Sequence, residues 1–407
     1  MAFDQTPGLE DRLAKGPITG YVGFDPTATS LQIGNLVPVM LLAHLQRAGG
    51  KPIVLVGGGT GLIGDPSGKS QERPLLTEAD VDENAAKQKA QLERFLDFGD
   101  GPTGAVTLNN ADWLRGMPLE KFLRDVGKHF TISSMLQKDS VKSRLDSGIS
   151  FTEFSYMLLQ AYDFLHLHQH HDCELQLGGS DQWGNITAGI ELIRRAKGAE
   201  AHALCAPLVT TSTGAKFGKT EAGSIWLDSA LTSVYHFYQF WVNVDDRDVE
   251  SYLKIFTFLS MEEVAELSAE HEKDKSRRVA QHALAQDLTT RIHGETLANG
   301  ARSASAILFG GEDVSSSDRA TWEVLSEALP TWDTTKAELP NNIVDLAAQS
   351  GLAKSKSEAR RQIEQGGVYL NGERATLDTA IESGKCLAGG VLWLRRGKKT
   401  DLLVRVK

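Results

Sequence analysis

Residues 21–36, Tyr-Val-Gly-Phe-Asp-Pro-Thr-Ala-Thr-Ser-Leu-Gln-Ile-Gly-Asn-Leu, restrict the fold more than any other stretch of this 407-residue chain. Residues 21–24 read as a short strand. Asp25-Pro26 ends it, because proline cannot continue a hydrogen-bonded ladder and biases the residue before it away from helix. Thr27, Thr29 and Ser30 are cap-type residues, and the apolar run over 33–45 predicts a helix. A strand, a turn and a helix, with Gly34 near the helix start, bring backbone N–H groups and a positive dipole end to the strand's carboxyl edge. That is a place for an anion such as a nucleotide phosphate. Taken alone, these residues equally fit the first unit of any α/β domain.

Bulk properties exclude several classes. The chain is 41% hydrophobic and 24% charged, ordinary for a globular protein with two or three domains. No apolar run reaches membrane-spanning length. The start, Met1-Ala-Phe-Asp-Gln-Thr-Pro, lacks a basic head followed by an apolar run, so a cytoplasmic location is expected. Cys173, Cys205 and Cys386 are far apart, which fits a reducing compartment and excludes a disulfide framework. The net charge of −10 is uneven. From residue 340 onward there are 12 Lys+Arg against 7 Asp+Glu, while the remainder holds 31 against 46. A basic tail on an acidic body suggests a nucleic-acid contact, although a solvated basic terminus has the same composition.

Residues 51–57 read as a buried parallel strand. In the glycine-rich loop after it, residues 59–64 match the GxGxxG dinucleotide fingerprint, yet Asp65-Pro66 follows where that fingerprint needs a helix. Gly68-Lys69-Ser70 resembles a Walker loop, but the first glycine would fall on Ile63. Residues 76–98 predict an exposed amphipathic helix, 105–109 a strand, and 113–150 a mixed helical segment. Over 150–166 a helix opens on a capping box, Ser150 with Glu153. Tyr156, Gln160 and Asp163 fall at i, i+4 and i+7 on one face of it. A polar stripe on an apolar helix is either its wet side or the wall of a polar pocket. The histidines of 168–171 read as a solvated turn, and no metal site is expected.

Residues 173–179 predict a strand that turns Gln176 inward, and 180–185, Ser-Asp-Gln-Trp-Gly-Asn, open a helix. Residues 207–220 are a Gly-containing loop with Lys216 and Lys219 three apart. Beyond it, 226–309 read as several helices, with a long Ala-rich one over 277–305. The acidic, Ser-rich stretch around 310–342 reads as a linker with one short helix. In the tail, Ser355 and Glu358 form a second capping box, Lys356, Arg360 and Arg361 share its helix, Gly366-Gly367 ends it, and Asn371-Gly372 predicts a hairpin.

Together these strings resemble the tyrosyl branch of the class I aminoacyl-tRNA synthetases, of bacterial type. The resemblance rests on Asp25-Pro-Thr-Ala-Thr-Ser-Leu-Gln-Ile-Gly-Asn35, Thr60-Gly-Leu-Ile-Gly-Asp-Pro-Ser-Gly-Lys69, Tyr156-Met-Leu-Leu-Gln-Ala-Tyr-Asp163, Gly178-Gly-Ser-Asp-Gln-Trp-Gly-Asn185 and the lysine loop ending at Thr220. In the first string Gln32 and Asn35 replace the two histidines of the usual His-Ile-Gly-His signature. Both can hydrogen-bond a phosphate but neither adds positive charge.

What the resemblance implies is an α/β chain with the following plan. Residues 1–222 form a Rossmann-like parallel-sheet catalytic domain, with a helical dimerisation insertion at about 113–150. Residues 223–310 form an α-helical anticodon-arm domain and 311–340 a linker. Residues 341–407 form a small α+β RNA-binding domain like that of a ribosomal small-subunit protein, with Lys356, Arg360 and Arg361 on RNA. Tyrosine is held by Tyr21, Asp65, Tyr156, Gln160, Asp163, Gln176 and Gln182. ATP lies on Gly23, Asp25, Gly34, Asp181 and Lys219. Thr27, Gln32, Asn35, Lys69, Arg73, Lys216, Lys219 and Thr220 act on its phosphates. The implied reaction joins L-tyrosine to the 3′ end of its tRNA through tyrosyl-adenylate, using Mg-ATP, in a cytoplasmic homodimer with no membrane contact. Asp163, as acceptor for the phenol, implies the family's known rejection of phenylalanine. Three other readings share some of these strings: a nicotinamide dehydrogenase, a tryptophanyl enzyme, and a catalytically weak RNA-binding relative.

Overall fold

The computed structural model describes residues 4–67, 76–142, 144–145, 148–214, 217–220, 223–309, 314, 317–397 and 400–407, save the side chains of 139, 140, 219 and 220. The chain divides into two compact units, Met1–Leu227 and Asp228–Lys407.

The first unit is built on six strands: β1 (Asp4–Gln5), β2 (Thr19–Phe24), β3 (Lys51–Val56), β4 (Val106–Asn109), β5 (Cys173–Gly179) and β6 (His202–Ala206). Their order is β1-β6-β5-β2-β3-β4. All neighbours are parallel except β1 on β6. The chain winds outward from β2 to β3 and β4, then returns to place β5 on the other side of β2. That reversal is a topological switch point, where ligands settle beyond the carboxyl ends of the strands. Tyr21 of β2 is level with Ile53 of β3 and Gln176 of β5, so the switch point sits under the predicted site. The strands read as near-continuous apolar runs because helices cover the sheet.

Four helices matter to the site: α1 (Leu36–Arg47), α2 (Glu78–Leu92), α3 (Phe151–His171) and α4 (Trp183–Lys197). A 3₁₀ turn, Ile33–Asn35, leads into α1, so the α-helix begins three residues later than its apolar pattern suggests. Residues 60–62 form only a 3₁₀ turn, and Asp65 and Pro66 after it are not helical, so the uninterrupted helix a dinucleotide fingerprint needs does not follow; among the described residues the next helix starts at Glu78. The predicted exposure of α2 needs correction: Asn84 and Gln88 are buried. In α3, Ser150 caps the helix by accepting the Glu153 N–H at 3.2 Å. The Glu153 carboxylate does not complete the box. It pairs at 2.9 Å with Arg144, and both side chains are buried. The helix also runs through His168–His171, where sequence predicts a turn, and ends on Asp172 at φ 51°. Among the described residues, no cluster of His, Cys, Asp or Glu is fit to hold a metal.

In the second unit the long helix predicted over 277–305 is two, Val279–His293 and Glu295–Phe309, broken at Gly294 with φ 89°. Residues 319–328 form a helix packed on Glu295–Phe309, where Gly300 lets the backbone of Ala320 approach closely. Strand Thr331–Thr334 then pairs in parallel with Thr400–Val406. The stretch predicted as a linker therefore carries a helix and an edge strand of the terminal five-stranded sheet. Its polarity is that of half-exposed elements, which composition alone does not separate from linker. Asn371 and Gly372 adopt φ of 50° and 87° and close the predicted hairpin, Leu370 pairing with Glu373. Ser355 caps its helix, while Glu358 accepts from the Lys354 N–H rather than from that of Ser355.

Candidate active site

The carboxyl edges of β2, β3 and β5, with the start of α1 and one face of α3, enclose a cavity of about 680 Å³. Tyr21, Gly23, Asp25, Thr27, Gln32, Gly34, Asn35, Asp65, Tyr156, Gln160, Asp163, Gln176, Asp181 and Gln182 all line it. The stripe on α3 is therefore a pocket wall and not a wet side. Lys69, Arg73 and Lys216 lie outside the described residues, as do the side chains of Lys219 and Thr220. The backbone of those last two pairs with Ser224 and Gly223.

One end of the cavity is organised by Asp163, which is 2% exposed. Asn110 donates to its Oδ2 at 2.9 Å and Trp113 Nε1 to its Oδ1 at 2.7 Å. Burial pushes the carboxyl up to about 7, against the opposing pull of those two donors, and the charge of Asp25 adds a further small push. Tyr21, wholly buried on β2, has no hydrogen-bond partner for its hydroxyl among the described residues. Burial and then the charge of Asp163 raise its pKa well above the ordinary value, so it stays neutral. A buried hydroxyl left unpaired is costly. A ligand O–H placed here satisfies both side chains, donating to Asp163 and accepting from Tyr21.

The other wall is acidic. Asp65 accepts from Gln182 Nε2 at 2.7 Å, from the Ser67 N–H at 2.9 Å and from Asn185 Nδ2 at 3.4 Å. Asp25 accepts from the Tyr156 hydroxyl and from Thr60 Oγ1, each at 2.9 Å. Burial, then the negative charge of Asp25, raises the Tyr156 pKa well above its ordinary value. Gln160 reaches Gln182 at 3.4 Å, and Gln176 Oε1 is buried without a partner among the described residues. Four carboxylates, Asp25, Asp65, Asp163 and Asp181, face the cavity, while no lysine or arginine is among its described lining residues. Such a wall favours a ligand carrying an ammonium group.

Beside it, the turn entering α1 offers Gly34, Asn35 and the helix start. Asn35 Oδ1 accepts the Gln32 N–H at 2.9 Å. Two backbone bonds clip this turn to the segment after the lysine loop: Ile33 N–H to Ile225 O at 3.1 Å and Leu227 N–H to Leu31 O at 2.9 Å.

Sequence reasoning missed Asn110, Trp113, Thr60 and Asn185. The signal for the first two was present. They follow β4 directly, at the carboxyl edge of a parallel strand, where polar and aromatic residues serve ligands or their partners.

The model of the class I tRNA synthetases (W and Y) matches residues 13–310, and that of the tyrosine–tRNA ligase SYY-like C-terminal domain matches 322–404. A tyrosine–tRNA ligase of Anaeromyxobacter dehalogenans is 56% identical over 411 residues, covering 100% of this chain and 97% of that one. One of Roseiflexus castenholzii is 50% identical with the same coverage. The chain belongs to the tyrosine–tRNA ligases. A C-terminally truncated mitochondrial tyrosyl-tRNA synthetase of Aspergillus nidulans, 33% identical, shares its fold with a TM-score of 0.67 over 74% of this chain and 88% of that one. As a class I aminoacyl-tRNA synthetase this ligase joins tyrosine to tRNA with ATP as substrate. Membership removes the dehydrogenase and tryptophanyl readings. Among the described residues of the ligase, no helix is long and apolar enough to cross a membrane.

Proposed function

We propose that the cavity holds L-tyrosine with its phenol between Asp163 and Tyr21 and its ammonium group at the wall of Asp65, Tyr156, Gln160, Gln176 and Gln182. The observation that carries this is the pairing of a buried carboxylate already gripped by two donors with a buried, unpartnered hydroxyl on the same cavity. ATP lies along Gly23, Asp25, Gly34 and Asp181 as its magnesium complex. The ionised tyrosine carboxylate attacks the α-phosphorus, a C–O–P bond forms, the bond to the β-phosphate breaks and pyrophosphate leaves. No general base is needed, so catalysis is placement plus stabilisation of phosphate charge. Thr27, Gln32 and Asn35 supply neutral donors and the α1 dipole, and Lys69, Arg73, Lys216, Lys219 and Thr220 close on the phosphates. A ribose hydroxyl at the tRNA 3′ end then takes the tyrosyl group and AMP leaves.

The helical part of the second unit takes the anticodon arm, and Lys356, Arg360 and Arg361 lie on folded RNA. Arg360 and Arg361 are exposed, which suits that role, whereas Lys356 is paired to Asp345 at 2.7 Å. A cytoplasmic homodimer is formed through the insertion. Exposed apolar side chains of the insertion, Leu119 at 70% and Ile132 at 63%, and of Phe151 just after it, at 79%, support the dimer. Tyrosine-dependent exchange of pyrophosphate into ATP tests the site. Clear exchange with tyrosine and far less with phenylalanine is expected; a chain that exchanges neither is the catalytically weak relative, and the proposal fails.

A further inference from the structure

Helix α2 stands beside the cavity, and three of its amides are turned inward. Asn84, Gln88 and Gln91 are spaced at i, i+4 and i+7 and so form one stripe. Asn84 Nδ2 donates to Pro26 O at 3.0 Å. Gln88 Nε2 donates to Ala28 O at 2.8 Å. Gln91 makes two bonds, accepting the Leu31 N–H at 2.8 Å and donating to Ser30 Oγ at 2.9 Å. The four bonds run the length of the turn between β2 and the 3₁₀ entry to α1.

Among the described residues that turn has no strand partner before Leu31, where the Leu227 N–H bond begins, yet Pro26, Ser30 and Leu31 are buried, and buried backbone groups must be paired. The stripe supplies what a neighbouring strand would. It also sets register, because its bonds fall at residues 26, 28 and 30–31 of a turn that lines the cavity, Thr27 and Gln32 included. Shifting the turn by one residue breaks all four bonds. The helix is anchored at its other end as well: Thr77 and Asp80 form a complete capping box, directly after the segment that bears Lys69 and Arg73.

We propose that Asn84, Gln88 and Gln91 are positioning residues for tyrosine activation, fixing the turn 26–31 so that Thr27 meets the nucleotide phosphates beside Gln32, which the bridge to Trp226 holds. This rests on the phosphate-facing role proposed for that turn. Gln88 also lines the cavity, but each amide of the stripe is bonded to the turn, through which the stripe acts.

The test uses the full chain and pyrophosphate exchange, with ATP and tyrosine varied separately and rates normalised to titrated tyrosine-binding sites, so that lost folding does not enter kcat. Gln88→Leu, Asn84→Leu and Gln91→Leu are each expected to lower kcat about tenfold, since a small displacement of a phosphate donor is felt in the transition state. The KM for tyrosine should stay within about twofold, as its pocket is on other elements. Gln91→Glu keeps an acceptor for the Leu31 N–H and should recover most of the loss seen in Gln91→Leu. Thr27→Ala serves as the control. If Thr27→Ala lowers kcat and the leucine variants do not, the positioning role is wrong and the reading of the turn stands. If Thr27→Ala and the leucine variants all leave kcat unchanged, the turn does not face the phosphates and both ideas fall. A rise in the tyrosine KM matching the loss of kcat would overturn the positioning role by showing general loosening.

Discussion

The two ends of the cavity solve recognition in opposite ways. At the end proposed for the phenol both groups are buried on fixed elements: Asp163 is gripped by Asn110 and Trp113, and Tyr21 on the central strand keeps its hydroxyl unpaired among the described residues. At the end proposed for the phosphates the turn entering α1 offers neutral donors and a helix start, while of the cations proposed for it Lys69, Arg73 and Lys216 lie outside the described residues and Lys219 is on a two-residue strand. The difference follows from the ligand groups. A phenol is neutral and must be told from its deoxy analogue, which a rigid, desolvated acceptor does well. A triphosphate is highly charged and changes during the reaction, so positive charge from lysine and arginine suits it.

The sharpest way to break this contrast is at the charged end. Lys69→Ala should lower kcat for exchange by about 100- to 1000-fold, as removal of a transition-state donor does, with the tyrosine KM changed less than about threefold. An equal rise in that KM would mean that the two ends are not separate. Asp163→Asn comes next. Replacing the charged carboxylate by an amide, with one acceptor oxygen exchanged for a donor, should reduce kcat/KM for tyrosine roughly 100-fold, and the preference over phenylalanine should fall by a similar factor. If phenylalanine activity drops in parallel, the residue is structural and the slot is not read by its hydroxyl.

Trp113→Phe is a smaller and more discriminating change. It removes one of the two bonds that hold the Asp163 carboxyl down, so the pKa moves above about 7. The ionised form is the stronger acceptor for the phenol O–H. In the wild type, kcat/KM for tyrosine should therefore rise with pH through about 7. In the variant it should be about tenfold lower at neutral pH and recover as pH is raised. Folding carries the opposite sign. The folded pKa lies above the ordinary 3.8, so the folded chain holds this proton more tightly than the unfolded one. Stability attributable to Asp163 is greatest below 3.8 and is lost as pH rises to about 7. Urea midpoints across that window should decline less in Asp163→Asn than in wild type.

How much of this was legible in the chain depended on where each residue's partners lie. Tyr156, Gln160 and Asp163 were readable because helical spacing alone puts them on one face. The strand–turn–helix at residues 21–36 was readable because proline and cap residues act locally. Gly294 was missed as a break because Ala-rich flanks favour helix on both sides and one glycine costs only about 1 kcal/mol. Asn84, Gln88 and Gln91 were read as surface because amides in a helix are usually solvated; their partners are 58 to 61 positions away in the chain. Glu153 and Glu358 match the capping-box pattern, and each is taken by a partner outside the box. Local chemistry sets the elements, while competition for long-range partners decides which polar groups face the cavity.

Gln32→His carries the smallest expected effect, and the geometry says why. Position 32 is fixed by its backbone: its N–H is held by Asn35, it bridges to Trp226, and the residues on either side are bonded to Leu227 and Ile225. Changing the side chain therefore leaves the turn where it is. An amide N–H and a neutral imidazole N–H are comparable donors to a phosphate oxygen. A gain appears only to the extent that the imidazole is protonated next to the bound triphosphate. The expected change in kcat is within about threefold near pH 8, growing as pH is lowered through the imidazole range near 6.5. An inactive wild type restored by histidine would mean that the charge at position 32 is indispensable, and the division between a neutral turn and charged loops would be wrong.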